Sequence, residues 1–190
     1  MNQVAKQTIT DFYAANKADV DALAAYIGVP AIWFCCLFYN ESACNPSARN
    51  PTGGAVGLNQ MMPSTLSGLG IASDDYVSGG VSYQCEVMKT YFKPVKGIVK
   101  RAGDLYLFDF WPAAILNNYS SDFAIGKKGD TSTLYGLSKN IIYVQNASLD
   151  FNKDGVITRQ DFWDGFEAKY DELLDASAPN FFFQRPADRL

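Results

Sequence analysis

The sequence predicts an all-α fold, and three observations carry that prediction. Val20, Leu23, Ala24 and Ile27 recur at helical spacing before Gly28 and Pro30, which lines one face of a helix and then ends it. Val81, Cys85, Met88 and Phe92 repeat the same three- and four-residue steps. Pro, Gly, Asn and Ser gather between these segments, where a helical chain has to turn. At 190 residues the chain fits one domain spanning 1–190. A hydrophobic content of 48%, with 14% aromatic residues, supplies a core that a disordered chain lacks.

Each element follows from its local punctuation. The helix through Ile27 stops at Gly28, and a second begins near Pro30, a favoured first-turn residue. It continues through "AIWFCCLFYNESAC" and stops by Cys44, because Asn45 precedes Pro46 and is biased out of the helical region. "NPSARNPTGGAVG" reads as a folded loop, and "PSTLSGLG" as a short helix started by Pro63 and stopped by Gly70. "SGGVSYQCEVMKTYFKPVKGIVKRAG" predicts another helix, and "DLYLFDFWPAAILNNY" a helix broken at Pro112. "TLYGLSKNIIYVQNASL" and "ITRQDFWDGFEAKYDELLDA" complete a mainly helical set. The tail "SAPNFFFQRPADRL" carries Phe181, Phe182 and Phe183, which either pack back on the body or form a contact patch for a partner.

Composition removes several functions. With 16 basic and 20 acidic residues, a net charge of −4 and no basic run beyond Lys127-Lys128, nucleic acid is not expected as a partner. The absence of histidine excludes Ser-His-Asp, Cys-His and His-ligated zinc chemistry. Cys35, Cys36, Cys44 and Cys85 fit no zinc spacing, so they are expected as free, buried thiols of a protein made in a reducing compartment. The apolar run "VPAIWFCCLF" falls well short of the about 20 residues a membrane helix needs, so no membrane partner is expected. The N-terminus shows no basic start and apolar core, so no signal peptide is expected.

One carboxylate stands apart. Glu41 closes an oily helix, with Phe38, Leu37 and Phe34 three, four and seven residues behind it. No other acid follows until Asp74. A carboxyl partly removed from water keeps its proton to higher pH, which is what a general acid at a glycosidic oxygen requires. The plainer alternative is a helix-end glutamate paired with Arg49 or a loop amide.

The stretch that follows weighs against the plainer reading. Glu41-Ser42, then Asn45-Pro46, then Gly54-Ala55-Val56-Gly57-Leu58-Asn59-Gln60-Met61-Met62-Pro63-Ser64-Thr65 resembles the signature of the soluble lytic transglycosylase family, in order and without gaps. The resemblance implies a lysozyme-like fold of the goose-type lysozyme and lytic transglycosylase kind. It implies an enzyme acting on peptidoglycan glycan strands, cleaving the β-1,4 bond between N-acetylmuramic acid and N-acetylglucosamine to a 1,6-anhydromuramoyl product without a catalytic cofactor. Glu41 is then the catalytic residue. Gly53, Gly54 and Gly57 let the backbone approach the sugar, Ser42 and Gln60 offer neutral hydrogen-bond partners, and Met61 a soft apolar contact or core filling. Tyr143-Val144-Gln145-Asn146 is similar to the family's Tyr-Val-x-Asn segment, which makes Tyr143 a further substrate-binding residue or a core tyrosine. The chain departs from the family in lacking an Ala-Tyr-Asn-Ala-Gly motif. Its "LYLFDFWPAAILNNY" is similar instead to versions in bacteriophage enzymes, which implies a phage protein carried in the virion or released at lysis, with the Phe-rich tail available to other virion proteins. A muramidase of the same fold, and a non-catalytic glycan-binding or virion module, stay open as alternatives.

A second motif lies near the end. "DFNKDGVITRQD" places Asp150, Asn152, Asp154, the backbone of Val156, Thr158 and Asp161 at the ligand positions of a twelve-residue calcium loop, with Gly155 at the sharp turn. A structural Ca²⁺ is expected within an embedded EF-hand-like segment, 143–175. With no paired second loop expected, a clip fits better than a sensor. Asp161, shorter than the usual glutamate, predicts weaker coordination.

Overall fold

The structure, a computed structural model, describes residues 1–175, and the Phe181–Phe183 patch lies outside them. The chain divides into two compact units, one of residues 1–98 with the described residues from Glu172 onward, the other Val99–Asp171.

The first unit is built on α1 (Gln3–Ala15), α2 (Lys17–Ile27), α3 (Ala31–Ser42), α4 (Pro63–Gly68), α5 (Ser73–Ser78) and α6 (Gly80–Phe92). Sequence reading assigned no helix before Val20, yet α1 is specified in the same way as the others. Its N-cap Asn2 accepts a 2.7 Å hydrogen bond from the Ala5 amide, and Ala5, Ile9, Phe12 and Tyr13 bury one face. Gly28 ends α2 in the left-handed conformation, φ +89°. Helix α3 is apolar nearly all round, with Ile32, Phe34, Cys35, Cys36, Leu37 and Phe38 buried, and a helix of that kind belongs inside a core. Phe34 anchors it, with ring centroids 5.9 Å from Phe38 and 5.3 Å edge-on from Phe92. Each such ring contributes about 1.5–3 kcal/mol by leaving water.

The helix predicted to run from Ser78 to Gly103 ends at Phe92. Pro94 has no amide to donate, and Gly97 takes φ +75° so that its N–H donates to the Ile27 carbonyl at 3.2 Å. That bond ties the turn to the end of α2.

All four cysteines are free and buried. Burial pushes every thiol up, Cys44 and Cys85 to about 12 and Cys35 and Cys36 well above their ordinary value. Thiolate is the reactive form, so a disulfide reagent such as DTNB should titrate none of the four in native protein and all four in denaturant. Fast labelling under native conditions would contradict the packing.

The second unit contains α7 (Ala102–Phe110), α8 (Pro112–Leu116), β1 (Ala124–Lys127), β2 (Thr133–Leu134), β3 (Leu137–Ser138), α9 (Lys139–Gln145), β4 (Val156–Thr158) and α10 (Arg159–Lys169). The break expected at Pro112 separates α7 from α8. Helices α7 and α10 approach closely at Gly103, where an added Cβ would lie 2.7 Å from the Trp163 Cα. Beside it, buried Asp104 accepts hydrogen bonds from Arg159 at 2.7 Å and from the Trp163 indole at 2.8 Å, so its charge is paired rather than stranded.

Two predicted helical stretches contain strands instead. Residues 133–138 form a hairpin turning at Tyr135 and Gly136, whose φ values of +50° and +85° no helix can include. Val156–Thr158 pairs antiparallel with Ala124–Lys127, Gly126 opposite Ile157. The protein is therefore mostly helical, with four strands of two to four residues among the described residues. No single helix among those residues is long and apolar enough to cross a membrane. The short helix α11 (Asp171–Leu174) closes the described chain.

Candidate functional site

Glu41 sits in the last turn of α3, half-buried, with the Asn40 side-chain amide donating to its Oε1 at 3.0 Å. The helix ends one residue later by an abrupt device. Ala43 and Cys44 both adopt positive φ, +53° and +63°, and their amides fold back onto the Tyr39 and Phe38 carbonyls. Two consecutive non-glycine residues in the left-handed region are uncommon and cost about 1–3 kcal/mol each. The surrounding packing enforces them beside the one carboxylate of this stretch.

What enforces them is a loop held by its own polar groups. Ser42 Oγ lies 3.0 Å from the Phe38 carbonyl and 2.9 Å from that of Leu58, joining the end of α3 to the loop. Asn50 caps its own turn, its Oδ1 accepting from the Thr52 and Gly53 amides. Val56 and Met61 exchange backbone hydrogen bonds at 3.0 and 2.9 Å, closing a tight turn in which Gly57 has φ +77° and Gln60 φ +48°. The Gln60 side-chain amide donates 3.0 Å to the Gly57 carbonyl.

Beneath the turn lies Gln84, fully buried on α6. Its Oε1 accepts from the Leu58 amide at 2.9 Å, while its Nε2 donates to the Pro46 carbonyl at 2.8 Å and to that of Tyr76 at 3.2 Å. The Tyr76 hydroxyl donates 2.8 Å to buried Asn59. A Cβ on Gly57 would meet Tyr76 Cε1 at 2.5 Å and Gln84 Oε1 at 2.8 Å. Gly57 is thus required both by its φ and by the space it leaves.

The expected residues of the first unit take distinct places. Ser42 and Gln60 each bond the backbone of the loop. Met61, 3% exposed, fills the core, and Met62, 47% exposed, is the methionine open to solvent. Arg49, the plainer partner considered for Glu41, pairs with Asp74 at 2.7 Å. Gln84 and Tyr76 escaped the sequence reading. No residue pattern marks a glutamine as a buried strut, and only the glycine-rich segment it supports is visible.

In the second unit, the Tyr143 hydroxyl donates 2.9 Å to Asp150 Oδ2. Asp150, the first position of the predicted calcium loop, also accepts from the Asp154 and Gly155 amides at 3.1 and 3.0 Å. Asn152 Oδ1 accepts from the Asp154 amide, and Asp154 Oδ1 from that of Val156. Thr158 and Asp161 form a capping box that starts α10, and Asp161 Oδ1 reaches back 3.1 Å to the Phe151 amide. Gly155 makes the sharp turn at φ +87°. The loop does have a strand partner, since Val156–Thr158 pairs with β1 rather than with a second loop of its kind. Its oxygen donors suit a hard cation in kind and order. Their carboxylates are engaged by backbone amides, and among the described residues no three acidic, cysteine or histidine side chains converge on one point.

Burial pushes the Asp150 carboxyl up, but the hydrogen bonds from Tyr143 and from the Gly155, Lys153 and Asp154 amides outweigh it and leave its pKa below the ordinary carboxylate value. A folded pKa below the unfolded one gives stability that is present above the unfolded value, about 4, and lost as pH falls through the folded value. Tyr143→Phe should therefore flatten the dependence of melting temperature on pH below about 4. An unchanged acid limb would show that the bond does not act on Asp150.

Comparison with known proteins bears on the first unit. Residues 20–81 match the family model described as Transglycosylase SLT domain. This segment is similar to that domain, and the match covers less than half of the chain. It runs from within α2 to the first residues of α6 and takes in Glu41, Ser42, Gly57, Gln60 and Met61. SLT domains are lysozyme-like and act on peptidoglycan glycan strands, and the helical fold agrees with that architecture. Gln84 lies just past the match, and Tyr143 and the acidic loop lie well outside it. No curated protein and no solved structure matches the chain.

Proposed function

We propose that this protein is a peptidoglycan lytic transglycosylase in which Glu41 acts first as acid and then as base. The observation that supports the reading is Glu41 at the end of α3, next to Ser42, whose hydroxyl bonds the Leu58 carbonyl of the Gly57–Gln60 turn, within the segment similar to an SLT domain. Protonated Glu41 gives its proton to the glycosidic oxygen between N-acetylmuramic acid and N-acetylglucosamine as the C1–O bond breaks. The carboxylate then takes the proton of the muramoyl 6-hydroxyl, whose oxygen bonds to C1 and closes the 1,6-anhydro ring. No water is consumed and Glu41 ends protonated, ready for another cycle.

An ordinary glycoside hydrolase uses two carboxylates flanking the bond. Here the next acid in the chain, Asp74, is exposed and paired with Arg49. That favours the intramolecular route over a muramidase, and Tyr143 enters as a further substrate-binding residue on the strength of its motif. The test is a zymogram. Wild-type protein should clear peptidoglycan embedded in the gel, and a folded protein that binds the wall without clearing it would be the non-catalytic module instead.

The acidic loop, Asp150 to Asp161, is proposed to hold a structural Ca²⁺ through Asp150, Asn152, Asp154, the Val156 carbonyl, Thr158 and Asp161. The ion would supply charge neutralisation for the loop and no chemistry at the glycan. At a free Ca²⁺ concentration of 100 times the dissociation constant, binding adds about 2.7 kcal/mol of stability. Melting temperature should rise with Ca²⁺, fall with chelator, and lose its Ca²⁺ dependence in Asp154→Ala. No binding heat and no thermal shift would remove the ion from the account. The Phe110–Ala114 stretch supports a bacteriophage enzyme, reaching the wall from the virion or at lysis.

A further inference from the structure

We infer that Asn40 is a positioning residue for the acid–base cycle of Glu41: its side-chain amide holds one carboxyl oxygen, so that the other carries the proton both out and back. The inference rests on the role proposed above for Glu41. Every residue of α3 from Ala31 to Tyr39 is apolar or aromatic, and the helix then ends on three polar side chains, Asn40, Glu41 and Ser42. Ser42 serves the loop, through the Leu58 carbonyl. Asn40 is turned toward Glu41, its Nδ2 donating 3.0 Å to Oε1. Consecutive residues project about 100° apart around a helix and ordinarily do not face each other, so helical geometry alone does not bring these two side chains together. Asparagine is also among the poorer helix formers.

A helix C-terminus is a poor place for a carboxylate. The last carbonyl groups carry partial negative charge, and a proton given away there leaves a full negative charge beside them. The backbone that follows does not offset this, because the Ala43, Cys44 and Asn45 amides donate to the Tyr39, Phe38 and Ser42 carbonyls. Asn40 supplies a donor from the helix itself. A hydrogen bond to an ionised acceptor is about twice as strong as one to a neutral acceptor. The Asn40 bond therefore strengthens as Glu41 gives its proton to the glycosidic oxygen, and it favours the charge that bond breaking creates. Being neutral, Asn40 does this without holding Glu41 ionised from the start, as a lysine or arginine in its place would.

The same contact decides which oxygen moves the proton. An N–H occupies Oε1, so the acidic proton sits on Oε2, and Oε2 passes it to the leaving oxygen as the C1–O bond breaks. With Oε1 still held, the carboxyl group need not turn between the two steps. Oε2 then takes the proton of the muramoyl 6-hydroxyl as that oxygen bonds to C1, and Glu41 ends as it began.

The test measures initial rates of soluble fragment release from purified peptidoglycan by the full chain as wild type, Asn40→Leu, Glu41→Gln and the double variant. Leucine has nearly the shape of asparagine and lacks the donor, so Asn40→Leu should lower kcat about tenfold with KM little changed and melting temperature not lowered. Asn40→Ala should do the same without leucine's added apolar surface. In the Glu41→Gln background, Asn40→Leu should slow the reaction no further, because the carboxylate it acts through is gone. A residue with a merely structural role would slow both backgrounds alike. That result, or Asn40→Leu at the wild-type rate beside a slow Glu41→Gln, would overturn the inference and leave Glu41 as the acid. Glu41→Gln at the wild-type rate would remove the acid assignment itself, and the role of Asn40 with it.

Discussion

Glu41→Gln is expected to lower the rate of peptidoglycan cleavage by about 10²- to 10⁴-fold, the contribution a positioned acid–base group makes. The change is nearly isosteric. An amide oxygen can still accept from Asn40, but it has no proton to give the departing oxygen. Because Glu41 is only half-buried at the end of α3, melting temperature should move little, so a loss of clearing would report chemistry rather than unfolding. Substrate affinity should survive, giving a fall in kcat with KM little changed. If the variant clears the wall as fast as wild type, the acid lies elsewhere, and Asp74, Asp75 and Glu86 become the next residues to replace.

The second large effect concerns the loop. Gly57→Ala puts a methyl 2.5 Å from Tyr76 and 2.8 Å from Gln84 at a backbone φ of +77°. Left-handed strain in a non-glycine residue and overpacking of a close-packed site each cost about 1–3 kcal/mol. Together they would consume a large part of a stability that is typically about 5–15 kcal/mol. Denaturant unfolding should show that loss, and activity should fall with it as the turn beside Ser42 loosens. Gly53→Ala is the control, since Gly53 is exposed and its nearest neighbour, Asn50, lies 3.7 Å away. Equal stability of the two variants would mean that the buried Gln84 and Tyr76 contacts do not fix the loop.

The contrast between these two glycines shows what can be read from residue types alone. The glycine-rich run after Glu41 announces close backbone approach, but not which glycine is held and by what. Gln84 is decisive because it is buried with three backbone partners, and a glutamine on a helix gives no sign of that in advance. Helices α2 and α3 were legible because burial imposes the helical period on their apolar residues. The 133–138 stretch was not, since Leu134 and Leu137 stand three residues apart, as on a helix, while Tyr135 and Gly136 turn the chain back between them. The end of α6 was misread for a related reason. Its apolar pattern runs past Phe92, and Pro94 outweighs it locally. Likewise the acidic loop showed its ligand order in sequence but not its strand partner, because β1 is 29 residues or more away along the chain and pairs through backbone groups that any side chains could accompany.

Around Glu41, the helix end was legible in the sequence and the partners of its neighbours were not. Glu41 stands where the helical spacing put it, at the end of an apolar stripe. Ser42 and Gln60, chosen for neutral hydrogen bonding, bond the loop's own carbonyl groups, and Met61 is interior. The physical reason is general. A loop rich in left-handed residues has many backbone groups with no helical partner, and nearby side chains satisfy them first.

The central claim is that Glu41 acts alone and that no water enters the product. Mass spectrometry of peptidoglycan fragments released by the wild-type protein tests it most directly. The account predicts muropeptides ending in 1,6-anhydromuramic acid, lighter by one water than the hydrolysis products. Fragments with reducing muramic acid ends, heavier by that one water, would contradict it.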